Sequence, residues 1–193
     1  SARSNMKRCY LELGGKSPNV VFADAPNLEM AAQVAANGIF RNSGQVCIAG
    51  SRLIVERAIH ADFVKRVTEI AEALKIGDPL DTATEVGAVH SETQLAQNLD
   101  FVRKAEAEGA DCLTGGKRIL EETGGTYMSP AVLDNVTPDA SVFRNEVFGP
   151  VLSVTPFDTM EEAIQLANAT DFGLSGAVWT SNVSTAHRVT MGI

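Results

Sequence analysis

The chain has 193 residues, 45% hydrophobic and 21% charged, ordinary values for a globular protein with enough apolar material to bury a real core. Its formal net charge is -8 with no Lys/Arg cluster on any one segment, which argues against nucleic acid or an anionic membrane surface as partner. No apolar run approaches the roughly 20 residues that span a bilayer, and Ser1-Ala2-Arg3-Ser4-Asn5 lacks the apolar core of a signal peptide.

Along the chain, strand-like and helix-like periods alternate. Lys7 to Glu12 reads as an entering strand, and Pro18 to Ala23 as a short buried one. A helix follows from Asn27, with Leu28, Ala31, Ala32, Ala35 and Ile39 on one face, its alanines small enough for close approach to a neighbour. Arg52 to Val55 is the next strand. Ala61 to Lys75 forms a helix with Phe63, Val67, Ile70 and Leu74 inward, closed by Gly77 and Pro79. The capping-box pattern Ser91-x-x-Gln94 opens a helix to about Glu108. Cys112 lies in a short strand ending at Gly115-Gly116, Lys117 to Thr126 reads as an exposed loop, and Tyr127-Met128 begins an extended stretch. Pro150 to Phe157 is a strand, Thr159-x-x-Glu162 caps a helix through Ala169, Gly176 to Thr180 is a strand, and Asn182 opens a last helix. The alternation predicts an α/β layered domain with a mostly parallel sheet. The unpartnered start and the stop at Met191-Gly192-Ile193 lead us to expect one domain over 1–193, truncated at both ends.

Cys9, Cys47 and Cys112 are an odd number with no C-x-x-C pair, which argues against a disulfide framework or zinc site and fits a reducing cytoplasm. His60, His90 and His187 lie far apart without metal-ligand spacing and are expected at the surface or in packing, so no metal is expected.

Three stretches could carry chemistry. Gly44-Gln45-Val46-Cys47-Ile48-Ala49-Gly50-Ser51-Arg52 puts a thiol between the alanine-rich helix and the following strand, with glycines three before and three after. Such a setting lets a substrate approach the backbone, and exposed backbone N–H groups can hold a developing oxyanion. Spacing alone leaves open whether Cys47 is a nucleophile or a small buried hydrophobe. Leu11-Glu12-Leu13-Gly14-Gly15-Lys16-Ser17-Pro18 holds a carboxylate flanked by leucines, either a partly desolvated general base or an ordinary edge-strand acid. Its Gly-Gly-Lys-Ser is not a phosphate loop, because the required first glycine would fall on Tyr10. Asn145-Glu146-Val147-Phe148-Gly149-Pro150-Val151 pairs an acid with an aromatic in a turn before a strand. A carboxylate there can accept from ribose hydroxyls, although the residues by themselves read as a structured loop.

These three stretches, in this order, with Asn168-x-x-x-x-Gly173-Leu174, resemble the aldehyde dehydrogenase superfamily over essentially the whole chain. The resemblance implies the layered αβα catalytic domain of that family, with most of the NAD-binding domain and the C-terminal oligomerisation arm lying outside these residues. It implies Cys47 as the nucleophile toward an aldehyde and Glu12 as the base that activates water. Glu146 and Phe148, with Leu13 and Gly14 beside them, are implied to hold the nicotinamide end of NAD or NADP, NAD favoured. A homo-oligomeric full-length protein is implied as well. Glu12 favours release of a free carboxylic acid over transfer to coenzyme A. Gly-Gln-Val-Cys-Ile-Ala-Gly and Gly176-Ala177-Val178-Trp179-Thr180 lean toward amino-aldehydes such as γ-glutamyl-γ-aminobutyraldehyde. The 193 residues alone are expected to bind NAD weakly and turn over little. Two other classes stay in view: a stand-alone cysteine-dependent ester hydrolase, and a non-catalytic interaction domain, which the joint presence of Cys47, Glu12 and Glu146 disfavours. Cys9 and Cys112 are expected to be inert packing residues.

Overall fold

A computed structural model describes residues 7–193. Four of its elements are set by apolar runs too short and too dense to alternate: β1 (Pro18–Val21), β2 (Arg52–Glu56), β6 (Ala131–Asp134) and β7 (Val151–Phe157). Almost every residue in them is buried, the signature of strands covered on both faces. With β3 (Asp111–Thr114) and β8 (Ala177–Trp179) they form one sheet in the order β3-β6-β7-β2-β1-β8, parallel throughout except where β3 meets β6.

Successive side chains on each strand point to opposite faces, and each face has its own helices. Val21, Leu53, Val55, Leu152 and Val154 meet α1 (Leu28–Phe40) and α2 (His60–Ala73). The predicted alanines of α1, Ala31, Ala32 and Ala35, are buried, as is Ala36, which the prediction left out, and Asn27 caps the helix by accepting from the Met30 N–H at 2.9 Å. On α2, Phe63, Val64 and Val67 are buried, while Ile70 and Leu74 are only half-buried. On the other face, Val20, Ile54, Leu133 and Val151 pack with α3 (Glu92–Ala107), α4 (Ser141–Arg144), α5 (Met160–Ala167) and α6 (Val183–Gly192). An edge-to-face pair, Phe22 on Phe157 with centroids 5.0 Å apart, sits in this second layer. The result is the expected three-layer α/β architecture.

Several local expectations are corrected. Residues 7–12 form no strand: the sheet runs β3-β6-β7-β2-β1-β8 without this segment, and β1 has β2 and β8 as its two neighbours. The predicted loop 117–126 holds β4 (Arg118–Ile119), which pairs antiparallel with β5 (Tyr127–Met128) around a turn at Glu121–Thr123. Both capping boxes are half-made. Ser91 and Thr159 accept from the N–H groups of Gln94 and Glu162, but the Gln94 side chain reaches elsewhere and Glu162 accepts from Asp158 N–H. Helix α5 stops at Ala167 rather than Ala169, with its final carbonyls taken by Arg52. Cys9 is exposed on the irregular entry segment, so it is not a packing residue, whereas Cys112 is half-buried and burial pushes its thiol up.

Candidate active site

The topology decides where chemistry can gather. Strands β7, β2, β1 and β8 are parallel neighbours, so the segments that precede them all emerge at one edge of the sheet. Those segments are Glu146–Pro150 before β7, Gly44–Ser51 before β2, Leu11–Ser17 before β1 and Phe172–Gly176 before β8. Open α/β sheets usually bind ligands at the carboxyl ends of their strands; here the candidate residues stand at the amino ends.

The thiol loop begins with a reversal of the chain after α1. In Arg41–Gly44 three consecutive residues take left-handed conformations, Asn42 (φ 54°), Ser43 (φ 53°) and Gly44 (φ 68°). Such a run in non-glycine residues is strained and needs outside support. Ser43 Oγ donates to the Gly87 carbonyl at 2.7 Å, Asn42 Nδ2 donates to the Gln45 carbonyl at 3.1 Å, and Gln45 Oε1 accepts from the His90 N–H at 3.0 Å. A turn closed by Ala49 N–H on the Val46 carbonyl (3.0 Å) then sets Cys47 and Ile48 at its corner. Cys47 is half-buried, and among the described residues no hydrogen bond takes up its backbone N–H.

Glycines let the other two stretches close on this loop. A Cβ on Gly15 would lie 2.3 Å from the Cys47 carbonyl oxygen, and one on Gly44 would lie 2.0 Å from the Gly149 carbonyl oxygen. Gly15 N–H donates to Glu146 Oε1 at 3.2 Å, and a Cβ on Gly14 would meet the same carboxylate at 2.3 Å. Between Gly15, Gly44, Val46, Glu146 and Gly149 only about 10 Å³ of space remains. The three motifs therefore form one packed unit. Gly44→Ala is expected to destabilise the fold by about 3 kcal/mol or more, since the new methyl meets backbone at a left-handed residue; the midpoint of urea unfolding reads this directly.

The remaining predicted residues sit as follows. Glu12 and Leu13 are exposed on the entry segment leading into Gly14 and Gly15, with Leu13 59% exposed. Glu146 is half-buried, with Oε1 engaged by Gly15 and room for further acceptance at Oε2. Phe148 is held left-handed at φ 54°, which turns its ring outward to 37% exposure. Phe172, whose ring edge would lie 3.3 Å from a Cβ on Gly14, completes the wall. A carboxylate edge, an aromatic face and a side-chain-free turn can together seat a hydroxylated, flat ligand.

Three supporting roles escape a reading of the motifs. Gln94 Nε2 donates to the Val147 carbonyl at 2.8 Å, and the fully buried Asn98 lies against Gly149. A polar residue inside the Leu95–Val102 apolar stripe is the signal that could have found Asn98. Arg52 is 1% exposed and donates to three carbonyls, Lys16 (2.8 Å), Leu166 (2.8 Å) and Ala167 (2.7 Å), with its guanidinium 4.9 Å from the Phe143 ring centroid. It thereby ties the Gly14–Lys16 turn to the negative end of α5. Burial pulls Arg52 down to about 10, so it stays charged at neutral pH. Lys16 is buried beside it; burial above all, with the Arg52 charge, brings its ammonium down to about 7, and Glu146 opposes the shift. A cleft of about 410 Å³ has Lys16, Arg52, Asn168, Phe172 and Thr190 in its wall but neither Cys47 nor Glu146. Among the described residues, no cluster of His, Cys, Asp or Glu could hold a metal ion, and no helix is long and apolar enough to cross a membrane. His60 pairs with Asp134 at 2.8 Å, a structural contact away from the thiol loop.

Comparison with known proteins places these motifs in company. The chain matches the aldehyde dehydrogenase family along residues 1–193. It is 45% identical over 190 residues to a betaine aldehyde dehydrogenase of Rhizobium etli, covering 98% of this chain and 39% of that protein. It superposes with a TM-score of 0.94 and 51% identity on an indole-3-acetaldehyde dehydrogenase solved with NAD+, covering 99% of this chain and 39% of the other. The γ-glutamyl-γ-aminobutyraldehyde dehydrogenase of Burkholderia cenocepacia gives a TM-score of 0.93 at 48% identity, covering 99% of this chain and 38% of that one. The chain thus spans 35% to 39% of the length of these and similar curated relatives.

Proposed function

The chain belongs to the aldehyde dehydrogenase family, and from that premise we propose that its full-length protein oxidises an aldehyde to a carboxylic acid with NAD(P)+ through a covalent intermediate on Cys47. The observation that carries this reading is the packing of Gly15 on both the Cys47 carbonyl and the Glu146 carboxylate, which joins thiol, turn and carboxylate in one unit. A thiolate is a strong nucleophile and, once acylated, a good leaving group, so one residue serves both half-reactions.

The Cys47 sulfur adds to the aldehyde carbon, and the Cys47 backbone N–H, unengaged among the described residues, helps hold the resulting oxyanion. Loss of hydride from that alkoxide leaves a thioester on the Cys47 sulfur, and NAD(P)+, which Glu146 and Phe148 would hold, would supply the hydride acceptor. Glu12 takes a proton from water, the hydroxide adds to the thioester carbon, and the carboxylic acid leaves with return of the thiolate. The Glu146 edge and the outward Phe148 ring, with Leu13 and Gly14 beside them, fit the ribose and nicotinamide: the carboxylate keeps a free oxygen and Gly14 leaves the space a side chain would fill. NAD is favoured over NADP, an amino-aldehyde is the favoured substrate class, and the full-length protein is read as a cytoplasmic homo-oligomer.

The test is NADH formation by the full-length protein across linear, aromatic and amino-aldehydes, with activated-ester cleavage measured beside it. Oxidation led by amino-aldehydes supports the whole reading. Ester cleavage through Cys47 with no aldehyde oxidation by either cofactor would replace it with a thiol hydrolase. The 193 residues by themselves are expected to bind NAD weakly; micromolar binding by isothermal titration contradicts that expectation.

A further inference from the structure

Asn98 is a polar residue at a position where packing alone calls for an apolar one. It is fully buried on α3, one turn after Leu95 and one turn before Val102, both buried in the core. A side-chain amide taken out of water is costly unless its hydrogen bonds are made, so its partners show what it holds. Those partners reach the loop before β7. Gln94, half-buried one turn earlier on α3, donates from Nε2 to the Val147 carbonyl at 2.8 Å and to Asn98 Oδ1 at 2.8 Å. With the Asn98 amide turned over, its Nδ2 donates to the same Val147 carbonyl at 3.0 Å and to the Gln94 carbonyl at 3.1 Å. In either orientation the two amides close on one acceptor, the carbonyl of the residue between Glu146 and Phe148.

That carbonyl precedes a strained residue. Phe148 is left-handed at φ 54°, a conformation that a bulky side chain keeps only where its surroundings over-determine it. Val147 is fixed twice, by a side chain buried in the core and by its carbonyl on Gln94. Gly149 has no room for a side chain, since a Cβ there would lie 2.1 Å from Asn98 Nδ2. The loop is thus gripped from α3 immediately before and immediately after Phe148. The Gly149 carbonyl is also the one against which Gly44 of the thiol loop packs.

We propose that Asn98, acting through Gln94, is a positioning residue: the pair holds the Val147 carbonyl so that the Glu146 carboxylate and the Phe148 ring stand in their cofactor-binding arrangement before the cofactor arrives. The inference rests on the reading of Glu146 and Phe148 as cofactor residues, and it gives the two amides no cofactor contact of their own. A satisfied buried polar network selects one arrangement, whereas an apolar residue at position 98 would pack α3 on the loop without choosing where the carbonyl lies. Without the pair the loop samples other arrangements, and affinity falls with the fraction that stays competent. A competent fraction of about one fifth to one tenth weakens binding about five- to tenfold. Bound cofactor restores the arrangement, so the loss falls on binding and not on turnover at saturation.

The experiment uses the full-length protein and measures the NAD dissociation constant by fluorescence quenching, with KM for NAD and kcat at saturating NAD beside it. Wild type is compared with Asn98→Leu, Gln94→Leu, the double variant and Glu146→Ala. Asn98→Leu, close in shape to the original, is expected to raise the dissociation constant and KM about five- to tenfold and to keep kcat within about twofold. Gln94→Leu is expected to do the same, and the double variant no more than either alone, because both act on one carbonyl. Wild-type affinity in Asn98→Leu overturns the proposal. So does a loss of kcat with KM unchanged, or a double variant whose loss is the product of the two single losses. Where Asn98→Leu lowers the melting temperature sharply, Gln94→Leu at its half-buried position decides, and wild-type affinity there overturns the proposal by itself. If Glu146→Ala binds NAD as tightly as wild type, the cofactor reading fails and the proposal falls with it. If Glu146→Ala binds weakly while Asn98→Leu and Gln94→Leu bind as wild type, the role of the pair falls alone.

Discussion

Cys47→Ala in the full-length protein is expected to lower aldehyde-dependent NADH formation by at least about a thousandfold, while NAD binding is unchanged. The size follows from the role: without a sulfur to add to the carbonyl there is no alkoxide to expel hydride, and binding alone cannot replace the covalent step. The specificity follows from the structure. Cys47 touches the rest of the site through its backbone carbonyl, which packs on Gly15, so alanine keeps the packing that shapes the Glu146 edge. Cys9→Ala and Cys112→Ala serve as controls and are expected to keep wild-type rates. A Cys47→Ala enzyme that oxidised aldehydes within tenfold of wild type would remove the thiol from the mechanism.

Glu12→Gln is expected to separate the two half-reactions. Acylation of Cys47 does not need the base, so rapid mixing should still give a burst of about one NADH per active site. Hydrolysis of the thioester does need it, and the steady-state rate should fall by about a hundred- to ten-thousandfold. Glu12 is exposed on the segment that runs into Gly14 and Gly15, a place from which a carboxylate can reach water and swing without disturbing the core. Fold stability should accordingly be unaffected. Loss of the burst together with the steady state would assign Glu12 to the first half-reaction instead.

Much of the scaffold was legible because single-chain periodicity dictates it. The alanine face of α1, its start at Asn27 and the buried strand at Pro18 all follow from local pattern, and the structure keeps them within a residue or two. Pairing is a different matter. Residues 7–12 carry a strand-like pattern, but a strand is made by ladder pairing with a neighbouring strand, which local pattern does not specify, and the sheet is built without this segment. The same limit hid the role of Arg52. A charged residue opening a strand reads as a surface group, and only the convergence of carbonyls from Lys16, Leu166 and Ala167 makes its burial tolerable.

The candidate site was legible as motifs and not as a place. Family resemblance named Cys47, Glu12, Glu146 and Phe148, yet nothing in their spacing says that they gather at the amino edge of the sheet. That follows from the strand order β7-β2-β1-β8, set by long-range pairing. Nor does composition announce the left-handed run at Asn42-Ser43-Gly44: asparagine and glycine tolerate it, but Ser43 needs the Gly87 carbonyl to stay there. Gly14 and Gly15 could be read as flexible turn residues. Their structural reason is the opposite, a fixed close approach that no side chain permits.

The most direct test of the central claim is peptide mass mapping of the Glu12→Gln full-length protein after brief exposure to NAD and an aldehyde. The account predicts one acyl group, with the mass of the substrate's acid less water, on the peptide that contains Cys47. An unmodified Cys47 peptide alongside measurable NADH, or an acyl group carried by Cys9 or Cys112, would contradict it.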